Sequence, residues 1–267
     1  MSRSLVSSPW SADWSTIGPL MAVFNVTAAR LMVDQDFGGA LLIAAAILVA
    51  GVVAGAFNGL LVTASNVPDI IVTLAMSFVW GGVALLILGT PGGGAPQEFI
   101  DLAGATTLNE WVSNAFLFLA VCLAVIWIPV RRSRIGLAIY AIGSDPVAAF
   151  RSGIDVRRSK IASYAIGGLF CACGGLALTA TTGIGDPLSG NLYTLAGVSA
   201  IVLGGVSLAG GRGGILGPVA AAFVLTLLPT VLIFTGVDAN YSQVIQGVLV
   251  VAVVMVGGLA TLRRRAA

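Results

Sequence analysis

The chain has 267 residues, of which 58% are hydrophobic and only 9% charged, and its mean hydropathy is +1.03. A soluble domain carries about 25% charged residues, and uncharged apolar runs of this extent need lipid as their solvent. The net charge of +2 is too small to attract nucleic acid. The chain has no histidine, which removes His-based acid/base chemistry, Ser-His-Asp triads and His metal sites. Lys160, the sole lysine, has no glycine-rich phosphate loop before it, so any ATP energy must enter through another subunit.

In chain order, residues 1–39 form an atypical N-terminal segment. Its start, "MSRSLVSSPWSADWSTIGPL", lacks a continuous apolar core after the basic residue and does not read as a signal peptide. Residues 21–33 are apolar but short, and Asn25 and Arg30 break them, so they count as a half-span at most. Seven runs follow, at 40–63, 68–89, 111–130, 161–182, 192–209, 215–235 and 241–262. Each is near the ~20 residues that a helix needs to cross about 30 Å of hydrocarbon. The expected fold is all-α, a polytopic helical membrane protein with a transmembrane domain over 40–262, a polar loop at 131–160 and a basic tail at 263–267. The fifth run is rich in small residues and ends in "GGVSLAGGRGG", so a re-entrant helix is its alternative form. Cys122, Cys171 and Cys173 lie inside apolar runs and read as small buried filler rather than a disulfide or metal set.

Charge sets the predicted topology. Residues 131–160 hold seven of the 13 basic residues, together with Asp145 and Asp155. Short cytoplasmic loops are enriched in Lys and Arg, which places this loop inside. Four spans later Arg263, Arg264 and Arg265 are inside again, as is Arg212 between the fifth and sixth runs. The segments assigned outside carry only acids: Glu98, Asp101, Glu110, Asp186 and Asp238.

Small residues mark the helix contacts. Gly51, Gly55 and Gly59 recur at i, i+4 and i+8, a flat face for close backbone packing within one bundle or between subunits. Gly167, Cys171 and Gly175 repeat the spacing in the fourth run, and Gly213 and Gly217 at the start of the sixth. The polar residues within runs, Asn58, Thr73, Ser77, Ser199, Thr226 and Gln246, suit interhelical hydrogen bonds or the lining of a path for a polar solute. No charged residue lies deep in a run, which counts against carriers driven by protons or sodium.

The stretch "GSDPVAAFRSGIDVRRSK" (143–160) is a polar island in this chain. Asp145 suits a helix N-cap, Pro146 the first helical position and Gly153 the left-handed residue after the end. Between them fits a helix of about two turns, too short to stand alone in water. Ala148 and Ala149 permit close approach, Phe150 offers an apolar knob, and Arg151 adds positive charge. The residues alone fit a docking handle and an ordinary surface loop equally well.

"AAFRSG" resembles the Ala-Ala-x-x-x-Gly core of the cytoplasmic loop in permease subunits of bacterial ABC importers. Three further blocks, "AGAFNGLLVTASNVPDIIVTLAMSFVWGG" (54–82), "RIGLAIYAIGSDPVAAFRSGIDVRRSKI" (134–161) and "AIVLGGVSLAGGRGGILGP" (200–218), are similar to the ribose/monosaccharide importer permeases. The resemblance spans 38–262. Branched-chain amino-acid permeases share the loop but are less similar around "GGVSLAGG". The resemblance implies a non-enzymatic subunit of the bacterial inner membrane. It implies a second permease copy or paralogue, a cytoplasmic ATPase subunit that uses ATP, and a periplasmic or lipid-anchored sugar-binding protein, with no cofactor on this chain. It also implies that Asp145, Pro146, Ala148, Ala149, Phe150, Arg151 and Gly153 couple to the ATPase. Asn58, Thr73, Gly205 and Ser207 are the candidates for the substrate pathway. Alternatives are an amino-acid permease, a stand-alone channel or a secondary carrier. Two departures stand out. Val147 occupies the position of the family's usual Glu, and "STIGPLMAVFNV" replaces a Gly-Gly-x-Asp-Leu-Ser-x-Gly block in what reads as a shortened N-terminus.

Overall fold

The computed structural model describes residues 16–65, 67–104, 114–206, 211 and 213–236, and scattered positions from 241 to 255. The described residues form helices α1 (Ile17–Leu31), α2 (Phe37–Ala64), α3 (Asp69–Ile87), α4 (Gln97–Gly104), α5 (Asn114–Cys122), α6 (Ile128–Arg132), α7 (Arg134–Ser144), α8 (Pro146–Arg151), α9 (Val156–Thr182), α10 (Ser189–Leu203) and α11 (Leu216–Phe234). The only bridge between extended segments among them pairs Gly92 with Gly185. The chain divides into two compact units, a larger one over Asp13–Thr194 and a smaller one over Leu195–Ala267.

α9 is the hub of the larger unit, and α1, α2, α4, α7 and α8 pack on it. Its closest partner is α2, which runs antiparallel to it. A Cβ at Gly51 would lie 2.6 Å from the Ala172 Cβ, one at Gly59 would lie 2.9 Å from the Ile161 Cα, and one at Gly55 would collide with the Tyr164 carbonyl. Lipid gives apolar helices no hydrophobic reason to associate, so backbone-on-backbone contact of this kind must hold them. The Gly51–Gly55–Gly59 face is therefore spent inside the bundle. The matching face of α9 differs from the expected one. Gly168, one position on from Gly167, meets Gly51 and Gly55, whereas a Cβ at Gly167 would meet nothing. Gly175 turns to α1, where a Cβ would lie 2.8 Å from the Met21 carbonyl oxygen.

α1 takes in most of the segment read as a half-span, and ten of its 15 residues are buried. The residues that broke the apolar pattern have partners. Asn25, fully buried, donates to the Thr179 hydroxyl at 2.9 Å and accepts from the Asp186 backbone N–H at 2.8 Å. Arg30 donates to the Ile87 carbonyl at 2.6 Å. A helix sheathed by protein needs satisfied polar groups more than it needs a high hydropathy.

α2, α3 and α9 are long and apolar enough to cross a membrane. At 1.5 Å per residue, the 28 residues of α2 span about 42 Å. The remaining runs are helical where they are described. The third is a continuous helical path from Asn114 to Arg132 with a π-helical turn at Leu123–Trp127, and its first three residues lie outside the described set. The fifth is the 15-residue α10, about 22 Å long and short of the hydrocarbon thickness. The sixth is α11, whose Leu225 and Ala221 bury against Ala200 of α10 within the smaller unit. Most of the seventh lies outside the described residues, as do Arg212 and the basic tail.

Two ends of the larger unit are fixed by contact. An ion pair between Lys160 and Asp69 joins the starts of α9 and α3. At the other end the Gly94 N–H donates to the Ala29 carbonyl at 2.9 Å, and Gly92 and Gly185 exchange backbone hydrogen bonds. The first end carries Arg131, Arg132, Arg134, Arg151, Arg157 and Arg158, all exposed. The second carries Glu98, Asp101 and Asp186, with Arg30 the one basic residue there among the described residues. Among the described residues, the basic side chains after Arg30 thus gather at one end of the larger unit.

Candidate functional site

The polar island folds as a helix–helix elbow at the basic end. Ser133 caps α7, its hydroxyl oxygen accepting from the Gly136 N–H at 3.1 Å. Gly136 is required there, because a Cβ would run into the Val130 carbonyl. α7 ends at Asp145, whose extended backbone (φ −155°, ψ 102°) turns the chain. The Asp145 carboxylate then accepts from the N–H groups of Val147 at 2.9 Å and Ala148 at 3.0 Å. Pro146 follows at the first helical position, where a missing donor costs nothing.

The other end of α8 is equally well specified. The Ile154 N–H reaches back to the Ala149 carbonyl at 3.1 Å, and the Gly153 N–H to the Phe150 carbonyl at 3.0 Å. This is a Schellman closure, and it needs a left-handed residue, which Gly153 supplies at φ +82°. Two residues later Asp155 caps α9, accepting from the Arg158 N–H at 3.1 Å. The elbow from α8 into α9 is therefore held by caps on both sides.

Of the residues assigned to coupling, Asp145, Ala148, Phe150, Arg151 and Gly153 are exposed and Pro146 is half-buried. Ala149 departs from the expectation of a residue offered to a partner. It is 4% exposed, and α8 packs on α7 and α9. Phe150 is 64% exposed, an aromatic ring held in the open by a rigid two-turn helix. The same end carries the exposed arginines, Arg151 next to it in sequence. Such a surface suits insertion of Phe150 into an apolar pocket rimmed by acidic groups.

The pathway candidates fall in two places. Asn58 on α2 is 2% exposed, and its Oδ1 accepts from the Trp80 Nε1–H of α3 at 3.1 Å. Thr73 is 1% exposed and donates to carbonyls of its own helix, Asp69 at 3.0 Å and Ile70 at 3.1 Å. Gly205, in the smaller unit, closes α10 in a second Schellman arrangement at φ +74°, with the Val206 N–H bonded to the Ile201 carbonyl at 3.2 Å. The close approach in that turn is made by Gly204, where a Cβ would strike Gly217 and Pro218 of α11. Ser207 lies outside the described residues.

A cavity of about 500 Å³ lies between α2, α4, the α5–π segment and α9, lined by residues such as Leu41, Phe99, Phe118, Cys122 and Leu176. Its lining offers a sugar almost no hydrogen-bond partner, and neither Asn58 nor Thr73 borders it.

Two polar features escaped the sequence reading. The Asn25–Thr179–Asp186 node knits α1, α9 and the segment after α9, and the Lys160–Asp69 pair ties α9 to α3. An Asn in an otherwise apolar run, and a lone Lys facing a carboxylate across a membrane domain, were the available signals. Neither names its partner, because pairs 154 or 91 positions apart are invisible to local pattern.

A bundle of long apolar helices that displays a capped, aromatic-tipped helix at its basic end is that of a helical membrane protein. Residues 16–254 match the family model described as branched-chain amino acid transport system / permease component. The chain belongs to that family of transport permeases. It is 31% identical over 244 residues to the ribose import permease protein RbsC of Escherichia coli (strain K12), covering 90% of this chain and 75% of that protein. It is 30% identical over 226 residues to the galactose/methyl galactoside import permease protein MglC of Haemophilus influenzae, covering 82% of this chain and 67% of the relative. With the autoinducer 2 import system permease protein LsrC of Klebsiella pneumoniae it shares 34% identity over 210 residues, covering 78% and 60%. No solved structure matches the chain.

Proposed function

We propose that this chain is the membrane-spanning permease subunit of an ATP-driven importer for a monosaccharide or a similarly sized polyol. The carrying observation is the α7–α8–α9 elbow, which presents Phe150 at the basic end in a chain whose relatives are named as ribose and galactose import permeases. The basic end faces the bacterial cytoplasm and the acidic end the periplasm, following the positive-inside rule. A cytoplasmic ATPase subunit seats on α8 and hydrolyses ATP. A second permease copy or paralogue completes the pathway, and a periplasmic or lipid-anchored binding protein delivers the solute. This chain supplies no covalent chemistry and no cofactor. Asn58, Thr73, Gly205 and Ser207 remain the pathway candidates, with Asn58 already engaged by Trp80. A second reading, an amino-acid permease, is supported by the description of the matching family.

The test is reconstitution in proteoliposomes with the ATPase and binding protein of the same system, and uptake of labelled ribose, galactose, fructose and leucine. ATP-dependent accumulation of a sugar is expected. Accumulation of leucine alone would establish the amino-acid reading, and uptake by the chain alone without ATPase would establish a channel or secondary carrier.

A further inference from the structure

The pair between the Lys160 Nζ and the Asp69 carboxylate differs from every other charge contact described in the bundle. Its side chains are 13% and 20% exposed, whereas the Arg158–Asp155 pair, at 3.2 Å, is 89% and 54% exposed. Exposed pairs of that second kind contribute little. A pair withdrawn from water is different, because separating its members leaves a charge uncompensated in a poorly solvated place. Lys160 is the fifth residue of α9, and Asp69 is the first of α3. α3 packs on α1 and α2 and hardly touches α9 elsewhere. The pair is thus the direct tie between the helix that continues the elbow and the helix that begins beside it.

The elbow itself cannot absorb a push. The Schellman closure at Gly153 and the Asp155 cap leave a link of four residues between α8 and α9, and the backbone or side chains of all four are hydrogen-bonded. A displacement of α8 therefore moves the start of α9. The glycine face against α2 is apolar and closely packed, whereas an ion pair is a contact that can be either joined or parted. A discrete two-state contact of this kind is what carries energetic coupling between sites.

We propose that Lys160 and Asp69 are positioning residues that transmit movement of α8 to α3, so that the pair couples ATP hydrolysis on the partner subunit to opening of the solute pathway. This rests on the permease reading above. The test uses the reconstituted importer with its ATPase and binding protein, and reads the ratio of ATP hydrolysed to sugar imported. Lys160→Met and Asp69→Asn are each expected to raise that ratio about threefold or more, within the range of coupling changes seen along such networks. The exchanged double variant, Lys160→Asp with Asp69→Lys, is expected to bring it back to within about twofold of wild type. Complex assembly is followed in parallel by size-exclusion chromatography. Single variants that assemble and keep the wild-type ratio overturn the proposal. So does a double variant that assembles yet is as uncoupled as the singles. Single variants that fail to assemble, with no recovery in the exchanged pair, reduce the pair to a structural contact and also overturn it. A wild-type importer that shows no ATP-dependent sugar uptake would instead refute the permease reading, a distinct result.

Discussion

Ala149 and Phe150 are neighbours with opposite surroundings, and substitutions at them should part accordingly. Phe150→Glu places an acidic group on an exposed position of α8 without touching the interior. It should leave membrane insertion and thermal stability near wild type while cutting sugar-stimulated ATP hydrolysis by about tenfold, the loss of one aromatic anchor of more than 1 kcal/mol. Ala149→Glu buries a charge under α8 and should loosen the elbow itself, seen as protease cleavage near residue 150. Equal effects of the two, read by ATPase assay and limited proteolysis side by side, would contradict this division. Gly55 is a second decisive residue. An added methyl collides with the Tyr164 carbonyl of α9, and backbone cannot retreat as a side chain would. Gly55→Ala should destabilise the bundle by about 1–3 kcal/mol, the usual cost of overpacking. The fall in detergent melting temperature should exceed that of Gly167→Ala, where a Cβ meets nothing.

Among the elements, α8 was readable before any fold was known and α1 was not. Asp145, Pro146 and Gly153 act within two turns of each other, so their spacing alone fixes where α8 starts and stops. α1 depends on contacts far away in sequence. Asn25 and Arg30 look like breaks until Thr179, Asp186 and Ile87 satisfy them. The pairing of Gly51, Gly55 and Gly59 with another helix was legible as a face, but the partner was not, and the register on α9 fell one residue away from the expected one. The burial of Ala149 was not legible for a related reason, since a two-turn helix has too few residues to show which side it buries. Charge carried further, because it is set by which end of the bundle a loop occupies. A cysteine at Ser144 should react with a membrane-impermeant maleimide only in inside-out vesicles, and one at Glu98 only in intact spheroplasts. Both positions are exposed, so accessibility to water does not confound the side. Labelling of the Ser144 position from outside would invert the proposed orientation.

At the scale of the whole molecule, the larger unit is organised around a helix that appears late. α9 holds α1, α2 and, through one ion pair, α3, yet it follows them by most of the unit's length. The buried amide of Asn25 waits for a hydroxyl 154 positions further on. At synthesis rates of ~5–20 residues per second, that wait is roughly 8–30 s. During it α1 is a short helix with an unsatisfied Asn and an Arg, a poor candidate to settle in lipid by itself. Assembly at the ribosome must therefore shelter the first helices beside the insertion machinery until the fourth long apolar stretch arrives. Nascent chains halted at residue 150 should leave a cysteine placed at Ala22 of α1 open to a water-soluble maleimide, whereas chains halted past residue 230, with α9 fully emerged, should protect it. Substituting Asn25 by Leu should erase that difference, since a helix made apolar throughout no longer depends on the partner still to come.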